Sequence, residues 1–224
     1  DFTESSSEDE KYLLGRSARD IRRLKKLMKL LDGICKVEYQ GINNLPDGAC
    51  ILAANHSSHL DVLCIYNALI TRFGYEKINK VCCLAAKELS QVAIMKKAFY
   101  SLGAIPVDRK GDTTRAFSVL NKYIKQEGYS AVVFPEGTRT RTGKMGAFTN
   151  GVASAAIQNE IPIIPVGIAG TFEIWSPTRK LPKLAFRRNR VVVKIGTPIY
   201  PSNDDMNGLT KVVKKSVGDM CGEK

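Results

Sequence analysis

The chain has 224 residues, 44% hydrophobic and 25% charged, with 18 Gly and 9 Pro; this globular composition excludes a disordered or fibrous protein. Lys and Arg total 34 against 22 Asp and Glu, a net charge of +12, so the surface attracts phosphates, whether on a nucleic acid, an anionic membrane or a small substrate. The longest apolar runs, 49–54 and 81–86, fall far short of the roughly 18–20 residues of a membrane-spanning helix.

The first residues lack the basic and apolar regions of a signal peptide. A first residue other than Met leaves room for the chain to be a piece of a longer one. Cys35, Cys50, Cys64, Cys82, Cys83 and Cys221 lie mostly in apolar stretches, without C-x-x-C spacing and with only two His in the chain. That pattern offers no zinc site and reads as small buried thiols of a reducing, cytosolic compartment.

Residues 1–10 are acidic and Ser-rich and are expected to form a disordered tail. Within segment 11–36, Ile21, Leu24, Leu27, Met28, Leu31 and Ile34 recur at three- and four-residue spacing among Arg19, Arg22, Arg23, Lys25, Lys26 and Lys29. This predicts a basic amphipathic helix ending near Gly33. Residues 37–224 then read as one α/β domain. Strands are predicted at 49–54, 80–86, 104–107, 130–134, 161–168 and 191–195, and helices at 60–72, 89–102, 113–127, 151–159 and 206–217. Such alternation implies an α/β fold with a mixed, mostly parallel central sheet and helices on both faces, preceded by the N-terminal amphipathic helix. The stretch 176–190, with two prolines and many cations, reads as a basic surface loop.

Ligand sites of open α/β sheets gather at the carboxyl ends of strands. Two such ends are dense in reactive residues. The strand at 49–54 delivers Asn55-His56-Ser57-Ser58-His59-Leu60-Asp61, which holds both histidines. Imidazole is suited to take a proton near neutral pH. A strand-to-helix turn can fold Asp61 back onto His56, fixing its tautomer as the Asp of a Ser-His-Asp triad does. The bland alternative has His56 capping the helix and Asp61 complementing its dipole. The strand at 130–134 delivers Pro135-Glu136-Gly137-Thr138-Arg139-Thr140-Arg141, where backbone amides and guanidiniums can hold a phosphate, or which is simply a solvated turn. Gly137 to Gly143-Lys144 is not a P-loop, since five residues intervene and Met145 stands where Ser or Thr belongs. Arg109 ends a third strand and by itself reads as a surface charge.

Four ordered blocks, Asn55-His56-x4-Asp61, Gly103-Ala104-Ile105-Pro106-Val107-Asp108-Arg109, Phe134-Pro135-Glu136-Gly137-Thr138-Arg139-Thr140-Arg141 and Ile161-Pro162-Ile163-Ile164-Pro165-Val166-Gly167, together resemble the glycerolipid acyltransferase family, the lysophosphatidate (1-acylglycerol-3-phosphate) acyltransferases and their relatives. The resemblance runs roughly from residue 37 to 200. It implies transfer of a fatty acyl group from a thioester, acyl-CoA or acyl carrier protein, to the free hydroxyl of lysophosphatidate, giving phosphatidate; glycerol phosphate or another lysophospholipid are the alternative acceptors. It further implies His56 as general base with Asp61 orienting it, and Arg109, Glu136, Gly137, Thr138 and Arg139 as binders of the acceptor's phosphate and glycerol. Pro165 belongs to the fourth block, which the resemblance implies shapes the site or its acyl-donor side. The mechanism calls for no cofactor and no metal.

The sequence departs from the family at two points. Phe148 is followed by Thr149-Asn150-Gly151 rather than a basic pair, and hydrophobic N-terminal helices carried by many members are absent from the chain. The basic helix at 17–34 is expected either to lie in an anionic membrane interface, together with the basic loops, or to pack its apolar stripe on the domain. The first makes the protein peripheral on the cytoplasmic side of a membrane. The cations of 179–190 also offer a place for the donor's phosphates. A nucleic-acid module is the rival suggested by the charge and by Arg187-Arg188-Asn189-Arg190, but aromatics are not interleaved and no binding motif is present, so no nucleic acid partner is expected. An inactive lipid carrier is opposed by the intact His56, Asp61 and Glu136.

Overall fold

The computed structural model describes residues 16–91, 93–108, 111, 113–184, 189–201 and 205–222. Seven strands form: β1 (Lys36–Gln40), β2 (Ile51–Ala54), β3 (Val81–Ala86), β4 (Ala104–Val107), β5 (Ser130–Val133), β6 (Ile163–Ala169) and β7 (Arg190–Ile195). They make one sheet in the order β1-β7-β6-β2-β5-β3-β4. All pairings are parallel except β6 with β7, so β1 and β7 run against the other five.

The helices are α1 (Ala18–Ile34), α2 (Asp61–Lys77), α3 (Glu88–Gln91), α4 (Ala93–Ser101), α5 (Thr114–Glu127), α6 (Gly151–Asn159), α7 (Thr171–Trp175) and α8 (Met206–Cys221). Successive strand residues point to opposite faces, and the core divides accordingly. Leu52 and Ala54 pack with Leu24, Met28, Leu31 and Ile34 of α1 and with Leu63 and Ile65 of α2. Ile51 and Ala53 pack with Leu120 and Ile124 of α5, Val152 of α6 and Val213 of α8. The expected mixed sheet, covered on both faces, is therefore present. Among the described residues, no helix is long and apolar enough to cross a membrane.

The structure corrects two expectations. Edge strand β1 is additional to the six predicted strands, because its exposed Lys36, Glu38 and Gln40 dilute the apolar signal. The helix expected at 89–102 is described as α3 and α4 on either side of residue 92, which lies outside the described residues, while the helix expected at 60–72 runs on to Lys77, with a break in helical geometry at Gly74. Of the two arrangements expected for the apolar stripe of α1, the structure has the second: Leu24, Met28, Leu31 and Ile34 are buried against the domain. Each such side chain contributes about 1.5–3 kcal/mol when fully buried, and insertion into lipid would have to replace that packing. The opposite face, with Arg19, Arg22, Lys25, Lys26 and Lys29 and with Leu30, stays exposed.

The start of α1 is fastened twice. Ser17 and Asp20 form a reciprocal capping box. Arg16 donates from Nε to the Ser101 carbonyl and from Nη2 to that of Val81, each at 2.7 Å, and from Nη1 to that of Ile78. One guanidinium thus satisfies three backbone acceptors at the amino ends of β3 and β4. The expected tail, residues 1–10, lies outside the described residues. Of the six cysteines, all free, five are buried.

Candidate active site

Strands β5, β2 and β6 are adjacent and parallel, with Ala53 beside Val133 on one side and Pro165 on the other. Their carboxyl ends deliver three loops to one place: residues 55–60, residues 134–150 and residues 170–171. Asn55 begins the first by continuing the ladder with its side chain. Its Nδ2 donates to the Ile168 carbonyl at 2.9 Å and its Oδ1 accepts the Ile168 N–H at 2.8 Å. The chain therefore leaves β2 still stitched to β6.

The following turn folds the first residue of α2 back onto the loop. Asp61 Oδ2 lies 2.9 Å from His56 Nδ1 and accepts the N–H groups of Ser57 and Ser58, each at 2.7 Å. Oδ1 accepts the Thr171 hydroxyl at 2.6 Å. Because the Thr171 proton is spent on Asp61, the Ser57 hydroxyl, 3.1 Å away, must be the donor to Thr171. The Asp61 side chain is 0% exposed and that of His56 is 20% exposed. Four donors converge on this carboxylate, which accepts from each. The Nδ1 proton is thereby fixed, which leaves the Nε2 lone pair of His56 free to take a proton.

The second loop holds His56 by its backbone and its ring face. Glu136 Oε1 accepts the His56 N–H and Oε2 accepts the Gly146 N–H, both at 2.7 Å, while the Thr140 N–H donates to the His56 carbonyl at 2.9 Å. Phe134 stacks on the imidazole with centroids 3.9 Å apart and planes inclined by 17°. Burial raises the pKa of Glu136 above its ordinary value, and the two amide hydrogen bonds oppose that rise. Glu136 thus ties the two loops together.

His59 leaves that cluster and forms another. Its ring lies 4.9 Å from that of Trp175, and Arg139 Nη1 stands 2.7 Å from its Nε2. Burial, then the Arg139 charge, push its pKa down to about 4, so His59 is neutral and accepts the guanidinium N–H. The hydroxyl of Ser58 donates to the Trp175 carbonyl, so neither Ser57 nor Ser58 presents a free nucleophile. Gly137, at φ +69°, and Thr138 are exposed at the turn, where the left-handed backbone suits glycine.

Arg109 lies outside the described residues. The end of β4 that leads to it stands three strands from β2, about 14 Å at the usual strand spacing. Pro165 is buried within β6, beside Ala53. Sequence reasoning missed Thr171, the hydroxyl that completes the environment of Asp61, because a threonine 110 residues away gives no local signal.

The chain matches the family model described as Acyltransferase over residues 36–169, which takes in β1 through β6 and most of this site. It belongs to the acyltransferase family. It is 30% identical over 175 residues to 1-acyl-sn-glycerol-3-phosphate acyltransferase BAT2, chloroplastic, of Brassica napus, covering 76% of this chain and 47% of that one. With 1-acyl-sn-glycerol-3-phosphate acyltransferase alpha of Homo sapiens it shares 30% identity over 213 residues, 91% of this chain and 70% of the relative. The acyltransferase fold is also that of a crystal structure, the 1-acyl-sn-glycerophosphate (LPA) acyltransferase PlsC from Thermotoga maritima. That match has a TM-score of 0.68 and 25% identity, covering 93% of this chain and 84% of the other. The chain spans about half the length of the chloroplast relatives.

Proposed function

We propose that this acyltransferase moves a fatty acyl group from a thioester to the free hydroxyl of lysophosphatidate, giving phosphatidate. The observation that carries the reading is the His56–Asp61 pair, with the Nδ1 proton held by a fully buried carboxylate. An alcohol is a weak nucleophile, so a positioned base must accept its proton as it attacks. In the proposed step the hydroxyl proton passes to His56 Nε2 while the oxygen bonds to the thioester carbonyl carbon. The carbon–sulfur bond then breaks, and the thiolate leaves with the proton from the imidazolium. No covalent acyl-enzyme is needed.

Arg139, placed against His59, and the exposed turn at Gly137 and Thr138 are proposed to meet the acceptor's phosphate and glycerol, together with Arg109. Glu136 is proposed to act through the His56 backbone, since each of its oxygens accepts an amide. The relatives' names specify the acceptor, 1-acylglycerol-3-phosphate, and leave the donor open between acyl-CoA and acyl carrier protein. The residues call for no metal or cofactor in this step. A lipid acceptor and the cationic surface favour a peripheral position on the cytoplasmic face of an anionic membrane.

The test is product formation from labelled acyl-CoA, and separately from acyl carrier protein thioester, with lysophosphatidate, glycerol phosphate and lysophosphatidylcholine as competing acceptors. Phosphatidate as the main product is expected; preferred use of glycerol phosphate would move the assignment to the other acceptor.

A further inference from the structure

Leu181 is the most exposed of the large hydrophobic side chains among the described residues, at 75%, and Leu184, three residues on, is 67% exposed. Both lie in the loop that leaves α7, and α7 walls the site. The Trp175 carbonyl accepts the Ser58 hydroxyl at 2.8 Å and the His59 N–H at 3.3 Å. Trp175 Nε1 donates to the Arg179 carbonyl at 3.1 Å, and the Lys183 N–H donates to the Ile174 carbonyl at 2.8 Å. The loop is therefore fastened at 179 and 183 and holds its leucines outward. Arg179, Lys180 and Lys183, all exposed, alternate with them.

A phosphate site for a soluble donor has use for the cations and none for solvated leucines. Exposed apolar side chains interleaved with cations are what an anionic lipid interface takes up, the apolar groups at the acyl boundary and the charges among headgroup phosphates. The buried stripe of α1 is already spent on the core, and Leu30 is the one large hydrophobic side chain that helix exposes among its cations. We propose that residues 179–184 dock on an anionic lipid bilayer, with Leu181 and Leu184 entering its surface, and so hold the mouth of the His56 site against the membrane that carries the acceptor. This rests on the reading of the acceptor as a lipid.

The chain has one tryptophan, and Trp175 stands at the root of this loop. The experiment binds the full chain to vesicles of equimolar phosphatidylglycerol and phosphatidylcholine whose acyl chains are brominated. Trp175 fluorescence should be quenched on binding. The Leu181→Ser/Leu184→Ser double variant should lose vesicle affinity by about tenfold or more while keeping its rate on short-chain, water-soluble acceptor and acyl-CoA. Unchanged vesicle affinity in the variant would overturn the proposal, as would binding without quenching, which would assign the contact to another face such as the cations of α1. Loss of acyl carrier protein binding in place of vesicle binding would overturn it too, in favour of a carrier-docking loop. Failure of the acyl-transfer reading would register separately, as no turnover of the soluble substrates by the wild type.

Discussion

Thr171, at the start of the short helix after β6, gives its hydroxyl proton to Oδ1 of Asp61, the first residue of α2, at 2.6 Å, and both side chains are buried. The bond joins two loops that are far apart in sequence, and it supplies the only side-chain donor to that oxygen among the described residues. Thr171→Val should leave a buried carboxylate oxygen without its partner and cost about 1.5–3 kcal/mol of stability. It should also lower kcat about tenfold by loosening the group that orients His56, an effect of about 1.4 kcal/mol. Thr171→Ser should restore most of both. Urea unfolding and steady-state kinetics on the two variants check this, and a Val variant with wild-type kcat would remove Thr171 from the positioning of Asp61.

Glu136 predicts a pH effect on stability. Its folded pKa is raised above the ordinary 4.5, chiefly by burial, so just above that value the folded state binds more protons than the unfolded chain. The stability this group contributes therefore falls as pH rises from about 4.5 through the raised value, then stays level. Glu136→Gln should abolish that slope and, by setting an amide NH2 against one of the two N–H donors, loosen the His56 backbone and reduce kcat. Unfolding free energies of both proteins measured across this pH window decide the matter; parallel profiles would contradict the burial assigned to Glu136.

His59 has the opposite sign. With its pKa brought from 6.5 down to about 4, the unfolded chain takes up the proton first. Its contribution to stability is complete above about pH 6.5 and is lost as pH falls toward 4. His59→Gln keeps an acceptor for Arg139 and should flatten that decline. His59→Ala should raise KM for lysophosphatidate severalfold with little change in kcat, because it frees Arg139 without touching His56. A matching fall in kcat would show instead that His59 acts on the His56 cluster.

At the opposite end of the sheet, Gly103 has φ +62°, and a side chain there would meet Arg16 Nη2 at 2.7 Å and the Val81 carbonyl at 3.0 Å. Gly103→Ala should therefore cost about 1–3 kcal/mol by displacing the Arg16 guanidinium from its three carbonyls, with kcat preserved in the folded fraction. Thermal unfolding and activity measured together check it. An unchanged melting temperature would mean that the clamp contributes little.

That last position shows what the sequence carried and what it hid. The block from Gly103 to Arg109 reads as one motif, yet its described residues span β4 from end to end: its glycine serves the junction with α1, while Val107 and Asp108 stand at the carboxyl end of the strand. The strands at 104–107 and 191–195 were legible because short apolar, β-branched runs have few other uses. The reversal of β7 was not, since an apolar run has the same composition in either direction. The His56–Asp61 pair could be proposed from spacing because a strand-to-helix turn is local. Thr171, Phe134 against the ring and Glu136 beneath the backbone depend on which strands become neighbours. For α1, periodicity located the apolar stripe, but lipid and protein core are equally apolar, and only packing decides between them.

At the centre of the proposed chemistry, His56, held by Asp61, takes the proton of the acceptor hydroxyl. Thiol release from palmitoyl-CoA, followed with and without lysophosphatidate in the wild type and in His56→Ala, tests it most directly. Acceptor-dependent release that falls by about a thousandfold in the variant, within the range expected for a lost general base together with its orientation, is the predicted result. Release that survives undiminished in His56→Ala would mean that another group is the base, and would contradict the role of the His56–Asp61 pair.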